Sequence, residues 1–372
     1  MASVTLDHVW KTYNAHQKNA VDAVKDANLL IQDGDFVALL GPSGCGKTSI
    51  LRMIAGLEYI SKGAIKIGDI VVNGLSPDQR NIAMAFETYA LYPHFTVYEN
   101  LEFCLKARNY DKKDIANKIN DTLKELKIDH LAKKRPSELP GGQQQMVSVA
   151  RAMVRQPNVF LLDEPFSHID AAMRVGTRAA IKTLVNESKT TTILVTHDQH
   201  EAVAMADKIV VMNFAEIQQY GTAHDLIHKP ANLFVANFVG EPAINLFTCE
   251  LIKNEKKFVL IGKDLEANIP VSTTIAELIY KTGSNDVVIG IRPQELTVAS
   301  GNKGFIKGNA ALFEFLGEEG HLIIDSKQSS VTIVTEPHLD IKKGDSVYLN
   351  AMSNEIFLFD PITKRAICHG IG

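Results

Sequence analysis

One octapeptide constrains this chain more than any other segment: Gly41-Pro42-Ser43-Gly44-Cys45-Gly46-Lys47-Thr48 fits the phosphate-binding pattern G-x-x-x-x-G-K-[ST]. It follows the apolar run Phe36–Leu40 and opens a helical pattern over Thr48–Ala55, the strand–loop–helix context that the pattern needs. Glycines let successive backbone N–H groups curl around an anion, and the helix N-terminus adds a favourable dipole. The loop from Gly41 to Ser49 is therefore expected to bind a nucleotide. Lys47 would bridge its β- and γ-phosphates, and the Thr48 hydroxyl would help hold Mg²⁺. Cys45, beside Lys47 and the helix start, is expected to have a lowered thiol pKa, so that alkylation blocks nucleotide binding.

A second element completes the chemistry. Val159-Phe160-Leu161-Leu162-Asp163-Glu164-Pro165 is an apolar strand ending in two acids. At the carboxyl edge of a parallel sheet these face the same crevice as the phosphate loop. Asp163 would hold Mg²⁺ through water, and Glu164 would act as general base on the attacking water. Alone, such a strand end reads equally well as a solvated turn; the upstream loop gives it meaning.

Near-continuous apolar runs at Thr192–Val195 and Ile209–Met212 also predict buried parallel strands. Helical patterns at Lys113–Leu126 and Gln144–Met153 mark a mostly helical insertion, roughly residues 88–155, within an α/β domain over 1–239. Past Pro242 short strand candidates take over: Lys257–Ile261, Asp286–Ile291, Gly304–Phe315, His321–Asp325, Val331–Thr335, Ser346–Ala351 and Ile356–Phe359. They predict a small all-β, OB-like barrel over 240–372. No stretch approaches the roughly 20 apolar residues of a membrane helix, and Met1–Asn14 does not read as a signal peptide. Any membrane role would come through a partner. With 39 basic against 43 acidic side chains there is no blanket positive field for nucleic acid. The four cysteines are scattered without metal-ligand spacing, which suits a reducing compartment.

Further motifs turn a nucleotide-binding domain into a particular resemblance. Leu139-Pro140-Gly141-Gly142-Gln143-Gln144-Gln145 resembles the signature of ABC-transporter ATPases. Phe86–His94 resembles their Q-loop, Ser167-His168-Ile169-Asp170 their D-loop, and Val195-Thr196-His197-Asp198 their switch-histidine strand. Pro230–Asn245 and Ile289-Gly290-Ile291-Arg292-Pro293 are similar to the junction and C-terminal regulatory domain of carbohydrate-importer ATPases of the maltose and glycerol-phosphate type. The resemblance covers essentially the whole chain. It implies a P-loop ATPase working as a head-to-tail dimer beneath two transmembrane permease subunits, peripheral to the cytoplasmic face of the membrane and served indirectly by a solute-binding protein. ATP would sit between the P-loop of one chain and the signature residues Leu139, Pro140, Gly141, Gly142 and Gln143 of the other, with Asp170 in the D-loop. The resemblance further implies that Tyr13 stacks on adenine, Glu87 ligates Mg²⁺ and His197 contacts the γ-phosphate. On the residues alone, Tyr13 reads as a half-exposed strand residue and His197 as a capped strand end.

Four positions depart from the family pattern: Pro140 for serine, Glu87 for glutamine, Met146 for arginine and His168 for asparagine. Pro140 removes one hydroxyl and one N–H that would meet the γ-phosphate. At roughly 1.5–3 kcal/mol for a hydrogen bond to a charged group, losing one weakens closure on ATP about tenfold or more. Glu87 adds negative charge beside the γ-phosphate. Two arrangements fit: pairing with a paralogous ATPase that leaves one sound and one weakened site, or a homodimer in which Gly141 and Gly142 supply enough N–H groups. A non-catalytic, ATP-binding regulatory subunit is the alternative reading, favoured by Glu87 and Pro140 and opposed by Glu164 and His197. A soluble ABC protein of DNA repair or translation would carry tandem cassettes or a coiled-coil insertion, and neither is present. The transported solute is not legible, because selectivity belongs to other subunits.

Overall fold

Phe36–Leu40 is a strand as its apolar run predicts, and all five residues are buried. In chain order the N-terminal part contains β1 (Val4–Tyr13), β2 (Val21–Ile31), this strand as β3 (Phe36–Leu40), α1 (Lys47–Ala55), β4 (Lys62–Ile67), β5 (Ile70–Val71) and β6 (Ile82–Ala85). There follow α2 (Val97–Lys106), α3 (Lys112–Glu125), α4 (Gly141–Met153), β7 (Val159–Asp163), α5 (Ala171–Ser188), β8 (Thr191–Thr196), α6 (Gln199–Met205), β9 (Lys208–Asn213) and β10 (Glu216–Gly221). The computed structural model describes residues 2–15, 17–108, 110–254, 257–301 and 303–371. They fall into two compact units, one ending at Ala223 and the other beginning at His224.

The first unit holds two sheets. β1, β2, β4 and β5 form an antiparallel sheet in the order β2-β1-β4-β5. The other has the order β10-β9-β3-β8-β7-β6, parallel except for β10 at one edge. β7 and β8 are buried at every position, as a parallel sheet covered on both faces requires. Register then places the chemistry. Leu40 pairs with Thr196, Asp163 with Val195 and Ala85 with Leu162. The phosphate loop, the acid pair, His197 and Phe86–His94 therefore all leave the sheet at its carboxyl edge, where α/β sheets receive ligands.

Helix α1 packs Ile50, Leu51, Met53 and Ile54 into the core, each burial stabilising by about 1.5–3 kcal/mol. It stops at left-handed Gly56, where the N–H groups of Gly56 and Leu57 return to the carbonyls of Met53 and Arg52, a Schellman-type ending. The Arg80 guanidinium, 5% exposed, donates to the carbonyls of Met53 and Ile54 at 2.7 and 2.9 Å and so satisfies the end of the helix. Between β6 and β7 lie α2, α3 and α4. The sequence pattern marked α3 and α4 but not α2, although Thr96 and Glu99 carry its capping box: each side chain accepts the other's backbone N–H.

The second unit contains most of α7 (Ala223–His228), then α8 (Leu233–Phe238), β11 (Asn245–Asn254), β12 (Lys257–Gly262), β13 (Glu266–Val271), α9 (Thr273–Tyr280) and β14 (Asp286–Ile291). It continues through β15 (Thr297–Val298), β16 (Ile306–Phe315), β17 (Gly320–Ser326), β18 (Ser329–Thr335), β19 (Ser346–Asn350), β20 (Ile356–Phe359) and β21 (Ala366–His369). These strands make one curled antiparallel sheet of OB-like character, in the order β15-β19-β16-β13-β12-β11-β14-β20-β21, with β17 and β18 branching from β16. β11, β13 and α9 were not expected. β11 and β13 alternate buried and exposed residues, which dilutes an apolar-run signal, and Pro270 argues against a strand. α9 is a two-turn helix capped by the Ser272 side chain on the Ile275 N–H.

Composition changes near residue 240, yet residues 224–239 pack with the second unit. Val235 and Ala236 are fully buried, and Ala236 packs with Ile244, Phe357 and Phe359. The main chain of Leu233 bonds Lys364 and that of Ala231 bonds Ala366. Arg292, 6% exposed, donates Nε and Nη2 to the Ile227 carbonyl at 3.1 and 2.9 Å, and Nη1 to the Val239 carbonyl at 2.9 Å. Burial pushes its pKa down to about 10. Lysine keeps a charge but lacks the planar fork. Arg292→Lys is expected to cost about 1–2 kcal/mol of stability, seen by scanning calorimetry as a lowered transition for this unit with nucleotide binding unchanged.

Candidate nucleotide site

The phosphate loop is built by left-handed backbone. Gly44 and Gly46 have φ of 78° and 108°, conformations that turn N–H groups toward one point. Gly46 admits no side chain on two counts: its φ, and a Cβ that would lie 2.2 Å from the Ala23 carbonyl oxygen. Lys47 is 4% exposed and its ammonium donates to the carbonyls of Gly41 and Pro42 at 2.8 and 2.9 Å. Pro42, Thr48 and Ser49 are partly exposed, and Ser43 and Gly44 are open to solvent. Tyr13 ends β1 with its hydroxyl 3.3 Å from Ser49 Oγ, so the expected adenine-stacking residue stands beside the first turn of α1.

Cys45 corrects the sequence reading. Its thiol pKa is raised, not lowered, because burial outweighs the opposing charge of Lys47. The side chain is 5% exposed. Since the thiolate is the reactive form, Cys45 is expected to react with iodoacetamide at pH 7.5 at least about tenfold more slowly than free cysteine. Peptide mass spectrometry over a labelling time course checks this.

The carboxylates lie across the same edge. Asp163, at the end of β7, is 8% exposed. Its pKa is raised first by burial and further by the charges of Glu164 and Glu87, against opposition from Arg52 and Lys47. Glu164 has φ 44°, a strained conformation for a residue with a side chain, held by its N–H on the Val195 carbonyl at 3.0 Å. Its Oε2 lies 3.2 Å from His197 Nδ1 and accepts from Ser167 Oγ at 3.1 Å. The expected base and the expected switch histidine are therefore in contact, though 33 residues apart in sequence.

Behind His197 stands a residue that motif reading missed. Glu201, 5% exposed, accepts from the Thr196 hydroxyl at 2.5 Å, and that hydroxyl accepts the Asp198 N–H at 3.0 Å. Burial raises the pKa of Glu201. Asp198 caps α6, its side chain accepting from the N–H groups of His200 and Glu201. Asp198-Gln199-His200-Glu201 reads as a helix start, and that hid the inward turn of the Glu201 carboxyl.

The signature residues do not join this edge. Among the described residues, none of Leu139, Pro140, Gly141, Gly142 or Gln143 bonds the phosphate loop. Pro140 (φ −58°, ψ 156°) is the N-cap of α4 rather than part of its first turn, and it offers no capping side chain. The N–H groups of Gln143 and Gln144 bond its carbonyl. No bond involves those of Gly141 and Gly142 among the described residues; Gly141 is partly exposed and Gly142 buried, so the helix start carries two unpartnered donors, the type of group that receives an anion. Gly141 lies against the D-loop: a Cβ there would be 2.9 Å from both the His168 carbonyl oxygen and the Tyr89 hydroxyl. Met146 is 7% exposed. Asp170 caps α5 through its carbonyl, which accepts from Met173 and Arg174.

The donor set suits a magnesium nucleotide. Among the described residues no group of three or more His, Cys, Asp or Glu could hold a metal by itself. Mg²⁺ is commonly bound through one or two carboxylates together with substrate phosphates, and a hydroxyl, two carboxylates and an N–H nest are what this edge provides.

Comparison with known proteins agrees with the geometry. Residues 24–167 match the ABC transporter family model. The sn-glycerol-3-phosphate import ATP-binding protein UgpC of Psychromonas ingrahamii is 40% identical over 375 residues, spanning 99% of this chain and 96% of that protein. The maltose/maltodextrin import ATP-binding protein MalK of Vibrio cholerae is 40% identical over 363 residues, spanning 96% and 95%. The dimeric ATP-binding cassette MJ0796 bound to ADP and Pi is 30% identical with a TM-score of 0.52, covering 59% of this chain and 98% of that one. A strand–loop–helix phosphate site, an acid pair and a histidine on one sheet edge, with relatives of this kind along nearly the whole length, mean that the chain belongs to the ABC transporter family, as an ATP-binding subunit of the importer type.

Proposed function

We propose that this ATPase subunit powers uptake of a carbohydrate-type solute: a sugar, sugar alcohol, glycerol or glycerol phosphate. The observation that carries ATP hydrolysis is the contact of Glu164 with His197 on the sheet edge that also carries Lys47 and Asp163; the solute class is supported by the glycerol-phosphate and maltodextrin importer relatives. Lys47 and the N–H groups of the loop hold the phosphates, Tyr13 the adenine, and Thr48, Asp163 and Glu87 the Mg²⁺. Bound Mg²⁺ offsets phosphate charge and orients the phosphates. Glu164 takes the proton of the attacking water, and His197 fixes the carboxylate that does so. The free N–H groups of Gly141 and Gly142 serve the site of a neighbouring ATPase chain. No helix of the described residues is long and apolar enough to cross a membrane. In the proposed assembly the chain works at the cytoplasmic face through two permease subunits. The second unit dimerises or regulates.

The test is reconstitution of the full chain with its permease and solute-binding protein in vesicles. ATP-dependent accumulation of labelled glycerol phosphate or maltodextrin is expected, and hydrolysis without uptake of any carbohydrate-type solute overturns the solute class. Pro140 offers a neighbouring site neither hydroxyl nor N–H, which is the ground for pairing with a paralogous ATPase that keeps one site sound. Finding a single ATPase polypeptide in the purified transporter overturns that pairing.

A further inference from the structure

Two of the four departures from the family pattern meet in space. Glu87 follows β6 and His168 lies in the loop after β7, yet His168 Nε2 stands 3.4 Å from Glu87 Oε1. The D-loop is fastened under this contact. The Tyr89 hydroxyl donates to the His168 carbonyl at 3.1 Å, and Tyr89 has φ 60°, so Tyr89 holds the backbone of residue 168 while Glu87 faces its side chain. The preceding D-loop residue does the same for the other carboxylate, through Ser167 Oγ on Glu164 Oε2 at 3.1 Å. Consecutive D-loop residues thus face the two glutamates of the site.

We propose that His168 is a positioning residue for Glu87: it holds the carboxylate that replaces the family's glutamine, so that the two substitutions are one compensated change. Asparagine is a shorter side chain than histidine, and a glutamine at 87 brings no carboxylate to be held. This rests on the Mg²⁺-ligand reading of Glu87 given above. Both side chains are about half exposed, 55% and 47%, so the coupling expected is that of a surface pair, about two- to fivefold in affinity.

A double-mutant cycle on the full chain tests it, with Mg-ATP affinity measured by equilibrium binding for the wild type, Glu87→Gln, His168→Asn and the double variant. His168→Asn is expected to weaken binding about two- to fivefold when Glu87 is present and to leave it unchanged in the Glu87→Gln background. His168→Gln, which restores an N–H at about the reach of Nε2, recovers the wild-type affinity. Equal factors in both backgrounds, no effect in either, or failure of His168→Gln to rescue overturns the proposal. Failure of the wild type to bind Mg-ATP overturns instead the nucleotide reading on which it rests.

Discussion

Replacing Glu164 by glutamine is expected to lower kcat for ATP hydrolysis by about 100- to 10,000-fold, the range for loss of a positioned general base. ATP binding should be retained. Glutamine keeps the shape and leaves the backbone unchanged, so the φ of 44° and the N–H bond to the Val195 carbonyl persist. Ser167 can still donate to the side-chain oxygen, which is Oε2 in the native residue. What is lost is a carboxylate able to take a proton. Removing its charge also removes one of the influences that raise the pKa of Asp163, which favours the ionised form that would hold Mg²⁺. Single-turnover hydrolysis by the assembled transporter, beside equilibrium ATP binding, separates the two effects. Unchanged turnover would make this chain the non-catalytic member of a pair.

The second large effect is a gain. Pro140→Ser is expected to lower the ATP concentration needed for closure of the ATPase dimer by about tenfold or more, since one hydrogen bond to a charged group contributes roughly 1.5–3 kcal/mol. The backbone is already suited: φ −58° and ψ 156° are N-cap values that serine adopts freely. The new hydroxyl and N–H join the N–H groups of Gly141 and Gly142. Stability should change little, because a serine N-cap contributes about 0.5–2 kcal/mol while loss of proline costs about 0.4–1 kcal/mol through the unfolded chain. A gain in closure without a matching shift in melting temperature is therefore the signature of a phosphate contact. Closure is best measured in the Glu164→Gln background, where ATP is not consumed. No change would show that the two glycines already suffice.

The chemistry was legible where it is written in consecutive residues. Gly41–Thr48 and Val159–Glu164 carry their own local geometry, a loop between strand and helix and a strand with acids at its end, and the structure has both in that form. Glu201 was not legible, because its helix-start position disguised a buried carboxyl aimed back at Thr196. The Cys45 expectation failed for a related reason. Its neighbours in sequence argue for a reactive thiolate, but burial, which depends on how the rest of the unit packs, decides otherwise.

By itself the sequence determined that this chain binds a nucleotide on an α/β core and carries a β-rich second unit, because hydrophobic periodicity and contiguous motifs are local properties. Tertiary structure alone decided which distant residues act together. Strand register brought His197 to Glu164, and loop packing brought His168 to Glu87. Residues 224–239 belong to the second unit through buried Val235 and Ala236, main-chain bonds with Lys364 and Ala366, and the guanidinium of Arg292. The physical reason is the same in each case: burial and electrostatic pairing depend on distances through space, and these exist only once the sheets have set their register.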